Sequence, residues 1–187
     1  MNKTKRAIFD AAIKEFSGNG YTGTSVDSIA IEAGVAKGTL YYHFKSKEEI
    51  FNFIITHGME ELTHSVEGTV LDGEDILGSF RQICREQLGL VHQNKNFFKV
   101  VMSQLWGQEL RHLQLREAVR KYIQVIEEKL KIAEQKDLIK HFDDSFMAYY
   151  FFGTLCSTAV YEIVNSDTDV DRTIDKLIDL LLNGIKK

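Results

Sequence analysis

Phe9, Ala12, Ile13 and Phe16 recur at i, i+3, i+4 and i+7, which puts all four on one face of a helix. Ser17-Gly18-Asn19-Gly20 predicts its end, with glycine free to take the left-handed turn that follows many helices. Thr24-Ser25-Val26-Asp27 has the form of a capping box, with Asp in place of the usual Glu. Val26, Ile29, Ala30 and Ala33 repeat the same spacing, and Gly34 closes this second, short helix. Leu40 and Phe44 lie four apart and face a core with Val35, leaving Lys37, Thr39, Tyr41, Tyr42 and His43 on the other side. Two short helices joined by a tight Gly-containing turn predict a helix-turn-helix. Ser46-Lys47-Glu48-Glu49 is a second capping box, opening a longer helix with Phe51, Ile54, Ile55 and Leu62 on one side.

The rest predicts helices as well. The periodic segments are Ile76 to Val91, about Asn96 to Gly107, Leu113 to Ala133, Ser145 to Val164 and Val170 to Ile185, with breaks at Gly68 and Asp72-Gly73. No segment alternates as a strand does, and there is no Pro in the chain to interrupt a helix. The predicted fold class is all-α: a three-helix helix-turn-helix head continuing into a helical body. The boundary falls at residue 47, with the head at 1–47 and the body at 48–187.

Composition narrows the function classes. The apolar share is 44% and the charged share 27%, as in a globular chain. Two cysteines, Cys84 and Cys156, make no disulfide framework, and no signal-peptide pattern opens the chain, so a reducing cytoplasm is expected. Ser145 to Tyr161 carries no charge, but it is shorter than a membrane span, contains Ser and Thr, and is bounded by Asp143, Asp144 and Glu162. It predicts a buried helix, and no membrane is expected as a partner. The net charge is −4, yet residues 1–47 hold seven Lys/Arg against four acids. The basic surplus sits in the head, where a polyanion would be met.

Ala11-Ala12-Ile13-Lys14-Glu15-Phe16, Gly20-Tyr21, Thr24-Ser25-Val26, Ile29-Ala30, Ala33-Gly34-Val35 and Lys37-Gly38-Thr39-Leu40-Tyr41-Tyr42-His43-Phe44 with Lys47 resemble the TetR family of transcriptional regulators. The resemblance covers about a quarter of the chain. It implies a homodimer on a palindromic double-stranded DNA operator, and a small-molecule effector that binds the body and releases the DNA. The recognition helix then corresponds to about Ala36 to Phe44. Lys37, Tyr41 and Tyr42 would meet bases or sugars. Thr24 or Ser25, Thr39, His43 and Lys47 would hold phosphates, and Gly38 would let the backbone approach the groove. Family members often have Ser where Ala36 stands. No Arg lies between Arg6 and Arg81, so the strongest guanine reader is missing and DNA shape is expected to carry much of the specificity.

In the body, seven of the 20 aromatic residues lie between Phe142 and Tyr161. Met102, Trp106, Tyr149, Tyr150 and Phe152 are the candidates for an effector pocket, with Glu109 and His92 as sources of polarity. Gly153 and Ser157, which permit close helix approach, join Val160, Ile174, Leu177, Ile178 and Leu181 as the candidate dimer interface. No catalytic residues, metal or cofactor are expected. One reading from another class remains: Glu61-Leu62-Thr63-His64 and Glu109-Leu110-Arg111-His112 are both Glu-x-x-His, half of a di-metal carboxylate site in a helical bundle.

Overall fold

The computed structural model describes residues 1–70, 75–137, 139–141, 143–165 and 169–183. Asp72-Gly73, Phe142 and Ile185 lie outside the described residues. Among the described residues the chain is helical throughout and holds no strand. The helices are α1 (Lys3–Gly23), α2 (Val26–Glu32), α3 (Lys37–His43), α4 (Lys47–Gly68), α5 (Ile76–Gln93), α6 (Lys95–Gln104), α7 (Leu110–Gln135), α8 (Asp144–Val164) and α9 (Val170–Asn183). They form two compact units, Met1–Met59 with Asn96–Val119, and Glu60–Lys95 with Arg120–Lys187. The head therefore shares its unit with the α6–α7 segment.

In the first unit, the Asn2 side chain caps α1 by accepting from the Lys5 N–H. Phe9, Ala12 and Phe16 are buried, as their spacing predicts; Ile13 of the same predicted face is only half-buried, and Ile8 joins the core. The predicted stop at Gly20 is a break, not an end: Gly20 takes φ 70° and the helix resumes to Gly23. Gly34, at φ 65°, makes the turn between α2 and α3, where a side chain would strain the backbone. Leu40 is fully buried and Phe44 nearly so, with the Phe44 ring 4.9 Å from that of Phe53 on α4. Phe97 of α6 packs tightly against Gly58, where an added Cβ would clash with its ring carbons.

The second unit is built on Leu88, Val91, Ile123, Leu155 and Ala159, all buried. A buried polar chain runs through it. The Tyr122 hydroxyl donates to Gln87 Oε1 at 2.9 Å, and Gln87 Nε2 donates to the Leu62 carbonyl at 3.2 Å. Both side chains are fully buried, so each bond replaces water that cannot enter. Tyr122→Phe leaves the Gln87 oxygen without this donor. Thermal denaturation should show a loss of about 1–3 kcal/mol; an unchanged midpoint would mean that the bond contributes nothing net.

Candidate DNA-binding surface and body

The head's chemistry follows from its caps. Ser25, not Thr24, starts α2: its Oγ accepts from the Ser28 N–H at 2.9 Å, and Ser28 Oγ accepts from the Ser25 N–H at 3.2 Å. The capping box read as Thr24 to Asp27 is therefore shifted by one residue. Thr24 is 3% exposed, and its hydroxyl donates to the carbonyls of Gly20 and Glu15. Of the pair Thr24 and Ser25, only Ser25 presents itself to solvent. Asp27, freed from capping, holds Lys37 Nζ at 2.6 Å and raises its pKa through that hydrogen bond and its charge.

On α3, Lys37, Gly38, Thr39, Tyr41 and Tyr42 face outward around the buried Leu40, with His43 half-buried. Tyr42 is 79% exposed, and the His43 ring stands edge-on to it at 5.1 Å. No atom within 4 Å contests a Cβ at Gly38, so only an outside surface would need that space. Lys47 is committed inward: its Nζ donates to the Tyr21 and Thr24 carbonyls at 2.7 and 2.8 Å. Burial, and then the Arg111 charge, lower its pKa. A phosphate contact by Lys47 requires it to leave those carbonyls.

Ala36 occupies the start of α3 and offers no side-chain cap. Ala36→Ser supplies an acceptor to the first-turn amides and should stabilise the fold by about 1 kcal/mol. That raises the melting temperature by roughly 2–4 °C without weakening DNA binding. An unchanged midpoint rejects the cap.

The body candidates fall in different places. Trp106 stands in the α6–α7 loop, 83% exposed, and Met102 is partly exposed on α6. In the other unit, Phe152 is buried against Tyr122 at 6.0 Å between ring centres, whereas Tyr149 and Tyr150 are about half exposed. His92 Nδ1 lies 2.9 Å from Glu162 Oε2, and the other oxygen of the buried Glu162 has no hydrogen-bond partner among the described residues. Glu109 is an exposed partner of Arg111. Sequence reasoning named His92 but did not pair it with Glu162, because nothing local links α5 to α8.

Tyr150, Gly153, Ser157, Leu177 and Leu181 do come together. With Thr154 and Leu180 they line an open groove between α8 and α9. Val160 is exposed further along α8. Ile174 and Ile178 are a correction to the candidate interface: at 4% and 2% exposure they are core residues, on the part of α9 that turns inward. They have no area left to bury against a partner. The side chains of Val170 and Leu182, which extend the predicted stripe, lie outside those described.

The di-metal reading loses its support. Among the described residues, no group of three or more His, Cys, Asp or Glu is placed to hold a metal ion. His64 is solvent-exposed against Glu67. His112 is buried and accepts from the Glu109 N–H, and burial and the Arg111 and Arg116 charges lower its pKa. Both cysteines are free, with burial pushing Cys84 up to about 12 and Cys156 to about 11. Such thiols are poor nucleophiles. Among the described residues, no helix is long and apolar enough to cross a membrane.

Known proteins resemble this chain along its whole length. The family model for bacterial regulatory proteins of the tetR family matches residues 8–54. A candidate fatty acid metabolism regulator from Clostridium perfringens, of solved structure, is 43% identical, with 97% of this chain and 99% of that one covered and a TM-score of 0.87. The fatty acid metabolism regulator protein of Bacillus subtilis strain 168 is 26% identical over 181 residues, 95% of this chain and 93% of that protein. The transcriptional regulator FadR from Bacillus subtilis, solved in complex with stearoyl-CoA, shares the fold at 24% identity and a TM-score of 0.78, with 97% and 99% covered. Near-complete coverage at 43% identity, together with an outward-facing recognition helix inside the matched head, means that this chain belongs to the TetR family of helix-turn-helix transcriptional regulators.

Proposed function

We propose that the protein is a homodimeric repressor that binds a palindromic operator and is released by a long-chain fatty acyl-CoA. The observation that carries the DNA half of this reading is α3, whose buried Leu40 turns Lys37, Thr39, Tyr41 and Tyr42 outward. A helix so presented fits the major groove, with Tyr rings meeting thymine methyls and Lys37 donating to guanine once it exchanges Asp27 for a base. Ser25, Thr39 and His43 supply phosphate contacts that set register. Residues 1–47 meet DNA, and 48–187 carry the effector and the partner subunit. The work is done in the cytoplasm, where both cysteines stay reduced.

The effector class is supported by the relatives' names and by the stearoyl-CoA held by one of them. An aromatic, apolar body suits an acyl chain. Of the pocket candidates, Phe152 is the inward one, while Met102, Trp106, Tyr149 and Tyr150 are reachable from solvent in the isolated chain. Release is a population shift. Two recognition helices must stand about one DNA turn apart, and an effector that prefers another spacing lowers operator affinity by its difference in binding to the two states. The α4 helix is the natural lever, since one continuous helix begins in the first unit and ends in the second.

The test is binding of the purified protein to DNA from beside its own gene, across a salt series, with and without stearoyl-CoA. One dimer per inverted repeat, salt-sensitive and released by the acyl-CoA, is the expected result. Binding that stearoyl-CoA leaves unchanged rejects that effector class. Absence of salt-sensitive, sequence-specific binding rejects the regulator.

A further inference from the structure

Tyr21 sits at the corner between α1 and α2 and is boxed by aromatic rings. Phe16 stacks on it at 5.5 Å and 18°, and Phe51 meets it edge-on at 5.5 Å. Two cations also converge on this ring. The Arg111 guanidinium carbon lies 4.1 Å from its centre and Lys47 Nζ 4.5 Å. The Arg111 charge opposes the upward pull of burial on the phenol's pKa. Two like charges at one ring are tolerated because each has its own acceptors. Lys47 donates to the Tyr21 and Thr24 carbonyls, while Arg111 Nε donates to Gln104 and its Nη1 pairs with Glu109.

Arg111 is thus a two-sided fastener within the first unit. On one side it grips the α6–α7 loop, which Arg116 also secures through the Leu105 and Gly107 carbonyls. On the other side, Tyr21 leads by a few residues to Thr24 and to Ser25, the cap of α2. The Arg111 side chain is only 13% exposed, so it is not itself a surface for DNA. It stands in the first turn of α7, a helix that continues past Val119 into the other unit.

We propose that Arg111 is a positioning residue for operator binding: by clamping Tyr21 it sets the α1–α2 corner, and with it the pose of the helix-turn-helix, according to the state of the α6–α7 loop. This rests on the DNA-binding reading above. A guanidinium brings a flat face and a fixed fork of five donors, whereas an ammonium is a compact charge with three, so lysine cannot span the ring, Gln104 and Glu109 in the same way. Coupling between two sites is reciprocal, so DNA binding must in turn be felt at the loop.

Trp106 is the chain's single tryptophan and stands in that loop, so it reports the coupling directly. Wild type, Arg111→Gln and Arg111→Lys are each titrated with operator and with non-specific DNA while Trp106 emission is followed. Arg111→Gln should weaken operator binding by about tenfold and non-specific binding by less than about twofold, since no DNA-facing cation is lost. Arg111→Lys should fail to restore it. Operator saturation should change Trp106 emission in the wild type and leave it unchanged in both variants. Retained operator affinity, equal losses on both DNAs, or an emission change that persists in the variants or is absent from the wild type overturns the clamp while leaving the regulator standing. A wild type that binds no operator overturns both.

Discussion

Gly153→Arg should yield a folded monomer whose operator affinity has fallen by at least about a hundredfold. The reasoning starts from α8. Phe146, Tyr149, Tyr150, Val160 and Tyr161 are exposed along the side of the helix that also carries Gly153 and Ser157. In the proposed homodimer this apolar stripe is the surface that the partner subunit covers. A Cβ built at Gly153 meets nothing within 4 Å, so the isolated chain has room for any side chain. Replacing a mid-helix glycine also favours the helix by up to about 1 kcal/mol. The substitution therefore costs the protomer nothing, and any damage must come from the partner. In an isologous interface a central residue lies near its own symmetry mate. Two arginines would then meet where two glycines allowed close approach. Loss of affinity follows because half-sites bound singly forgo the advantage of linkage. Light scattering gives the mass, circular dichroism the fold, and an operator titration the affinity. A dimer with parental affinity removes α8 from the interface.

Tyr42→Ala should leave melting temperature and mass unchanged while weakening operator binding by about 1–3 kcal/mol per half-site, tenfold or more. Tyr42 contributes little to the fold because most of it is in solvent, its recorded ring neighbour being His43. Truncations at such positions move stability by about 0.5 kcal/mol or less. The salt dependence separates this residue from the phosphate contacts. No charge is removed, so the slope of log affinity against log salt should stay the same. Tyr42→Phe, which keeps the ring for a thymine methyl, should retain most of the affinity. Equal binding by Tyr42→Ala and wild type would move base recognition elsewhere on α3.

The head was the most legible part of the sequence. Leu40 and Phe44 are four apart, so whichever way α3 lies they share a face, and Tyr41 and Tyr42 must leave it. That follows from 3.6 residues per turn and needs no neighbour. Capping was legible in kind and shifted in place. Thr24, Ser25 and Ser28 are all good cap residues, and the choice fell on Ser25 because the chain carries Thr24 inward to the carbonyls of Gly20 and Glu15. On α9 the stripe from Ile174 to Leu181 was seen, but not its division. Ile174 and Ile178 went to the core while Leu177, Leu180 and Leu181 stayed at the groove. Isoleucine and leucine are interchangeable to a periodicity argument, so only the direction of packing could separate them.

Tyr21 with Arg111, Tyr122 with Gln87, and His92 with Glu162 left no trace in sequence. Each partner reads as an ordinary residue on its own helix, and the interaction exists only after distant helices pack. Whatever depends on neighbours within a turn or two was legible in the residues: the helices, their inward faces, the outward face of α3 and the family signature. The tertiary structure alone decided which apolar faces were consumed internally, which cation served the fold before DNA, and which polar groups found one another in the core. Short-range order is written in spacing, whereas long-range pairing is a choice among many chemically equivalent surfaces, made by the packing that buries them best.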